Sequence, residues 1–181
     1  SDTVMPVCSV RHLGIYSDLS MRTHVIRTSA GCFAVLRQLY SVRRYVTRQV
    51  LQSLVVSLVL TRLDYGCATL AGCPAVLLNK LQSVMNAAAR LVYSARKFEH
   101  VTPLLRELHW LCMPERITFR LAVYAYRCQH GLAPPYLAAD IRRVADVDPR
   151  RRLRSASSAQ LLVPSTKHAT IGDRGCCAGM E

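Results

Sequence analysis

The sequence predicts a mainly α-helical bundle with a short β segment at the N-terminus and a poorly ordered, basic C-terminal extension. Apolar residues recur at intervals of three and four over most of residues 20–139, and no long segment alternates with a period of two. With 51% hydrophobic residues, the 181-residue chain can bury a core. Past residue 139 prolines, arginines and serines replace the periodic pattern. We therefore divide the chain into an N-terminal β region (1–19), a helical region (20–139) and an Arg-rich extension (140–181).

The first elements are a short strand and a long helix. Residues 10–16 suit a strand, with Gly14 at a tight point. Ser20 is predicted to cap a helix that runs to about Tyr40. Its inward side is predicted to carry Val25, Cys32, Leu36 and Leu39.

The second helix is predicted to be capped by Thr47 and to cover residues 48–68. Its apolar residues form two adjoining stripes, which favours a position at the centre of the bundle. The stripes contain Val50, Leu51, Leu54, Val55, Leu58 and Val59.

Three further helices are predicted in the second half of the helical region. Pro74 lies near the start of the first, whose inward positions are Leu77, Leu81, Val84, Ala88 and Leu91. A short helix covers residues 103–109. Pro114 opens the last one and Gly131 stops it. Its inward positions are Ile117, Leu121, Tyr124 and Cys128.

The charge of the chain points to a polyanionic partner. A net charge of +13 favours nucleic acid over a membrane, although an ordinary solvated basic surface is the alternative. Three groups of arginines are candidate phosphate contacts. One lies around the junction of the first two helices, one on a stripe of the last helix, and one in the extension. The group in the extension could instead be a nuclear-localisation signal. In this order, the groups are Arg37, Arg43, Arg44 and Arg48; Arg116, Arg120 and Arg127; and Arg150, Arg151, Arg152 and Arg154.

The sequence offers no pattern for catalysis, a metal or a cofactor. Two-metal polymerisation needs clustered carboxylates, and Tyr-x-Asp-Asp is absent, with Asp146 and Asp148 the nearest approach. Gly-x-Ser-x-Gly, a Walker-type loop and Cys-x-x-Cys are absent as well. We therefore expect no catalytic residue, no metal site, no cofactor and no enzymatic activity.

The cysteines and the apolar segments bear on the cellular compartment. Eight cysteines without regular spacing indicate buried thiols rather than a disulfide framework. Residues 1–6 lack the pattern of a signal peptide, and the longest apolar stretch, residues 50–60, is too short to span a bilayer. The expectation is a soluble chain, nuclear or cytoplasmic, neither secreted nor bound to a membrane.

Short sequence motifs spread along nearly the whole chain carry a family resemblance. They are Val10–Ile15 (VRHLGI), Asp18–His24 (DLSMRTH), Arg62–Gly66 (RLDYG), Leu81–Leu91 (LQSVMNAAARL), Leu108–Leu111 (LHWL), Pro114–Ile117 (PERI), Gly131–Leu137 (GLAPPYL) and Arg151–Ser155 (RRLRS). In this order they resemble the stretch that follows the reverse-transcriptase palm in non-LTR (LINE) retrotransposon polyproteins, most closely the chicken-repeat clade. The departures are Cys67 and Cys73, where the family tends to have Asn and an aliphatic residue, and the Cys176-Cys177 end.

The resemblance implies a thumb region without the catalytic centre. Leu13-Gly14 looks like the end of the primer-grip hairpin, residues 18–24 like the start of the thumb, and Leu63–Gly66 like a later thumb helix. The helices from Ser20 to Tyr93 would then lie against a template–primer duplex. The resemblance implies that the chain is a fragment of a reverse transcriptase from a transposable element. This fragment would bind RNA, DNA or an RNA–DNA hybrid, but it would lack the polymerase and endonuclease centres.

The implied partners also include the palm and fingers, and self-association is expected if the second helix is incompletely covered. Two alternatives stay open at this point. One is a basic helical module that binds another protein, and the other is a decayed retrotransposon relic without function.

Overall fold

The computed structural model describes residues 9–18, 20–139, 141 and 161. It is mainly α-helical with a two-stranded antiparallel sheet near the N-terminus, which confirms the predicted fold class. The chain divides into two compact units, Ser1–Ile117 and Thr118–Glu181. Apart from residues 141 and 161, the predicted extension and its Arg150, Arg151, Arg152 and Arg154 lie outside the described residues.

The N-terminal β region is a hairpin, where the sequence predicted a single strand over 10–16. Strands β1 (Val10–His12) and β2 (Ile15–Ser17) pair antiparallel, with His12 opposite Ile15. Leu13 and Gly14 form the two-residue turn with φ values of 46° and 82°. Positive φ at both turn positions matches the right-handed twist of hairpin strands. Glycine adopts this geometry readily, so Gly14 reverses the chain where the strand was expected to continue.

Helix α1 (Arg22–Val42) follows Met21, and Asp18 rather than the predicted Ser20 accepts most of the hydrogen bonds from its first N–H groups, although Ser20 Oγ also accepts from Arg22 at 3.4 Å. One Asp18 oxygen accepts from the backbone N–H groups of Ser20 at 3.0 Å and Arg22 at 3.1 Å, and the other accepts from Thr23 at 2.9 Å. A carboxylate satisfies more of the exposed N–H groups than one hydroxyl can. Hydrogen bonds from Thr23 and Ser20 hold the pKa of Asp18 down at about 2, against the opposing effect of burial.

The second helix is interrupted by a wider turn. Thr47 caps α2 (Arg48–Val55), as predicted, through a 3.4 Å hydrogen bond from the N–H of Val50. A π-helical segment (Val56–Leu60) and α3 (Thr61–Asp64) continue the same rod. The helix ends before the predicted residue 68, because Gly66 adopts φ 67° and a short 3₁₀ turn (Cys67–Leu70) follows it.

Helix α4 (Ala75–Tyr93) has more buried residues than any other described helix, eight against two in α2. It packs against α1, α2 and α5 (Thr102–Glu107). All five of its predicted inward residues are buried. In α2, Leu51 and Val55 are buried, but Val50 is 48% exposed and, in the π segment, Leu58 is 40% exposed. One stripe of the second helix therefore faces the core and the other faces solvent, so the prediction that this helix is central was wrong.

Helix α6 (Met113–Gln129) leaves the first unit and enters the second. Gly131, with φ 69°, stops it as predicted, and the N–H of Leu132 closes the end on the carbonyl of Arg127 at 2.9 Å. Ile117 is buried, but Tyr124 is 44% exposed, which contradicts its predicted inward position. No described residue of the second unit, which also contains α7 (Pro135–Ala138), is buried.

Candidate nucleic-acid interface

The hairpin docks on the turn that follows α3. The hydroxyl of Tyr65 donates to the carbonyl of Leu13. A Cβ placed on Gly14 would lie 3.4 Å from the Tyr65 ring, and one placed on Gly66 would lie 2.5 Å from Cδ1 of Ile15. Two of the sequence motifs, far apart in the chain, thus meet in the first unit, and the contact favours glycine at position 66.

A basic cleft of about 520 Å³ lies beside this contact. Residues of the hairpin, α1 and α3 line it. Three of the lining residues are arginines, Arg11, Arg27 and Arg62, and none of the lining residues is acidic. Sequence reasoning missed this group because the three residues are far apart in the chain, and no local pattern in the sequence marks them.

Tyr16 organises two of the three arginines. The guanidinium of Arg27 lies 4.5 Å from the centre of the Tyr16 ring and donates to its hydroxyl at 3.1 Å. Arg11 lies 5.5 Å from the same ring centre. Such cation–π contacts hold a guanidinium in place without neutralising its charge.

Arg62 approaches the cleft from α3. Its guanidinium nitrogen lies 3.7 Å from the position that a Cβ on Gly31 would take, so the side chain reaches the surface of α1. A larger residue than glycine or alanine at position 31 would compete with Arg62 for this space.

His24 lines the cleft from its buried side. Its residue surface is only 6% exposed, and its Nδ1 has no hydrogen-bonding partner among the described residues. Burial lowers the pKa of His24, and the nearby Asp18 carboxylate opposes this effect in part. The imidazole is therefore neutral at neutral pH and has one N–H to donate.

The predicted arginines at the junction of α1 and α2 have different surroundings. Arg37 and Arg44 are exposed. Arg43 lies 3.7 Å from the centre of the Tyr40 ring. Arg48 stacks on Tyr93 at 3.8 Å and forms an exposed 3.3 Å ion pair with Glu107. These residues stay predicted phosphate contacts, and Arg48 would have to leave Glu107 to make one.

The predicted stripe on α6 is divided in the structure. One nitrogen of Arg116 donates to both carboxylate oxygens of Asp64, at 2.7 and 2.9 Å, and the two side chains are 15% and 27% exposed. Arg116 therefore ties α6 to α3. Arg120 is half-buried and Arg127 is exposed, and both belong to the second unit.

Comparison with known proteins leaves the function to be inferred from the residues and their geometry. No family model, no curated protein and no solved structure matches the chain. Within the described part of the chain, no three His, Cys, Asp or Glu side chains gather in a way that could hold a metal ion. None of the described helices is long and apolar enough to cross a membrane.

Proposed function

We propose that the chain is a non-catalytic, sequence-independent binder of RNA or RNA–DNA hybrid, derived from the region after the palm of a non-LTR retrotransposon reverse transcriptase. The observation that carries this proposal is the docking of the Leu13-Gly14 turn on Tyr65 and Gly66 beside a cleft lined with arginines. The two motifs that resemble a primer grip and a thumb helix thus form one surface. The positive charge of this surface suits phosphate.

The distribution of the carboxylates supports the proposal. Of the five carboxylates in the described part of the chain, only Glu107 forms an ion pair with an exposed arginine, Arg48, so the other exposed arginines described there have no ion-pair partner. Asp18 caps α1, Asp64 pairs with Arg116, and Glu107 pairs with Arg48. The other two, Glu99 and Glu115, accept from the backbone N–H groups of Arg96 at 3.0 Å and Cys112 at 2.9 Å. A surface of this kind attracts polyanions over a range set by the salt concentration.

A protein-interaction module is the second candidate, and the exposed stripe of the second helix favours it. Val50 and Leu58 are 48% and 40% exposed, although they lie on a helix whose opposite side is in the core. An apolar partner could cover this stripe.

Binding of a labelled RNA–DNA hybrid, followed by fluorescence anisotropy over a range of salt concentrations, tests the proposal. The affinity should fall steeply with salt and should be equal for two hybrids of unrelated sequence. Changing Arg150, Arg151, Arg152 and Arg154 together to glutamine should lower the slope of log K against log salt by about 0.7 to 0.9 for each phosphate that the variant no longer neutralises. A slope that is unchanged, both in this variant and in one lacking Arg116, Arg120 and Arg127, contradicts the proposal.

Two controls separate the alternatives. Primer extension with magnesium and nucleotides should yield no product, and extension by the purified chain would overturn the non-catalytic part of the proposal. Polyglutamate should compete with the hybrid only weakly at equal charge, because a duplex carries its charges at a higher density and releases more condensed counterions when it binds. Equal competition would favour the protein-interaction module.

A further inference from the structure

We propose that the cleft between the hairpin, α1 and α3 is a binding site for a dianionic phosphate group, held by Arg11, Arg27 and Arg62 with His24 on its buried side. The inference rests on the proposed function only for the origin of that phosphate, which is the end of a nucleic-acid strand or a free phosphate ion. The phosphate chemistry of the site stands on the lining residues themselves.

The first argument is charge. Three guanidinium groups line the cleft, and none of its lining residues is acidic. Asp18, whose negative charge acts on His24, lies outside the lining, and one such charge still leaves the three guanidinium groups with an excess of positive charge. An anion with two charges gains about twice the Coulomb attraction of one with a single charge at the same position. The cleft should therefore prefer a phosphomonoester or free phosphate to the phosphodiester of a strand interior.

The second argument is the unused hydrogen-bonding capacity of His24. The side chain is almost fully buried, and no described residue partners its Nδ1. Buried polar atoms nearly always have a partner, and an unpartnered one indicates a ligand or an ordered solvent molecule. His24 lines the same cleft as the three arginines, and a small shift of its buried imidazole would expose Nδ1 to a phosphate oxygen there.

The third argument is pre-organisation. The guanidinium of Arg27 is fixed on the ring and hydroxyl of Tyr16, and that of Arg62 lies against α1 at Gly31. Ligand binding then freezes less side-chain motion than it would with unrestrained arginines. The hydroxyl groups of Thr28 and Thr61 also line the cleft and can donate to phosphate oxygens.

The volume agrees with a phosphate that carries more of a molecule with it. About 520 Å³ is within the range of ligand sites in proteins, roughly 300–1,000 Å³, and far exceeds the size of one phosphate ion. A terminal nucleotide could therefore enter with its phosphate toward the arginines.

Titration of the full chain with inorganic phosphate, followed by amide NMR at constant ionic strength, tests the site. Saturable shifts are expected at the hairpin, in α1 around Arg27 and in α3. Arg27→Gln and Arg62→Gln should each weaken binding by about tenfold or more, because each removes a charge-assisted hydrogen bond. Both residues are exposed, so the variants should fold. Arg22→Gln is the matched control, an exposed arginine of the same helix outside the cleft, and should bind like the wild type.

Two RNA oligonucleotides of one sequence, with a 5′-phosphate or a 5′-hydroxyl, identify the source of the phosphate. If the phosphorylated strand binds more tightly than the hydroxyl strand and Arg27→Gln removes this difference, the ligand of the site is the phosphate at a strand end. Equal binding of both strands, together with saturable binding of inorganic phosphate, supports the site with a free ion as its ligand.

The site is overturned if inorganic phosphate gives no saturable shifts, or if Arg22→Gln weakens binding as much as Arg27→Gln does. If the hybrid still binds in that case, only this inference fails. If phosphate binds in the cleft but the hybrid does not bind at all, the site stands and the proposed function fails.

Discussion

Replacing Gly66 with alanine tests the contact between the hairpin and the turn after α3. Gly66 has φ 67° and ψ 14°, and an L-residue in this left-handed region costs about 1–2 kcal/mol. The new Cβ would lie 2.5 Å from Cδ1 and 3.1 Å from Cγ1 of Ile15. Because Cδ1 is the end of a flexible side chain, Ile15 can move to a poorer rotamer for about 0.5–1.5 kcal/mol. We expect Gly66→Ala to destabilise the fold by about 1.5–3.5 kcal/mol in total.

Urea unfolding followed by circular dichroism measures this change as a lower midpoint with an unchanged m value. The steric part can be isolated in an Ile15→Val background, which lacks Cδ1 and by itself costs about 0.5–1.5 kcal/mol. In the Ile15→Val background, Gly66→Ala should lower the free energy of unfolding by less than it does in the wild type. The difference between these two costs is the coupling energy between positions 15 and 66. Gly131→Ala is a comparison for the backbone part, because Gly131 has φ +69° and no described atom lies within 4 Å of the added Cβ.

Two results would refute the reasoning. One is a Gly66→Ala variant as stable as the wild type, which would mean that the turn does not hold residue 66 in the left-handed region. The other is an equal cost in both backgrounds, which would mean that the added methyl group does not meet Ile15.

The remaining predictions concern carboxylates. Asp18→Asn should remove a pH dependence of the free energy of unfolding. The pKa of Asp18 in the folded protein is about 2, below the ordinary 3.8, so the charged carboxylate stabilises the fold above about pH 4 and this stabilisation is lost as the pH falls towards 2. Urea midpoints on either side of this window should differ more in the wild type than in the variant, and equal differences would contradict it. Asp64→Asn should cost about 1.5–3 kcal/mol, because its partner Arg116 is only 15% exposed and loses a charged acceptor. The matched control Glu107→Gln, from the exposed pair with Arg48, should cost under about 1 kcal/mol, and equal costs would contradict the assignment.

The helices whose apolar periodicity is uninterrupted were predictable from the sequence. In α4 the inward residues repeat at three and four, and each is buried, because a helix with one apolar stripe has only one face to bury. The two stripes of the second helix were ambiguous, since periodicity shows that a face is apolar but not whether a neighbour covers it. The end of that helix was missed although Gly66 is a local stop signal like Gly131; only the contact of Gly66 with Ile15, which is distant in sequence, had no local sign.

The candidate site was less predictable than the fold. Sequence reasoning selected arginines that are close together in the chain or share a helical stripe. The structure instead gathers Arg11, Arg27 and Arg62 from three elements, and it uses Arg116 in an ion pair with Asp64. Neither arrangement has a local signature, because both depend on which helices pack together. The Leu13-Gly14 motif was informative, since glycine within a two-residue turn meets a local requirement of the backbone.

The unequal use of acids and arginines has a consequence for how such a sequence can change over generations. Every described carboxylate caps a helix, closes a turn or bridges two elements, so its removal lowers stability. Many exposed arginines have no comparable structural task, and their removal changes the surface potential while the core stays intact. Without selection for binding, substitutions should therefore reduce the positive charge well before the helices disappear. A related copy that keeps Asp18 and Asp64 but no longer has Arg11, Arg27 and Arg62 should still fold, and under the proposed function it would no longer bind phosphate.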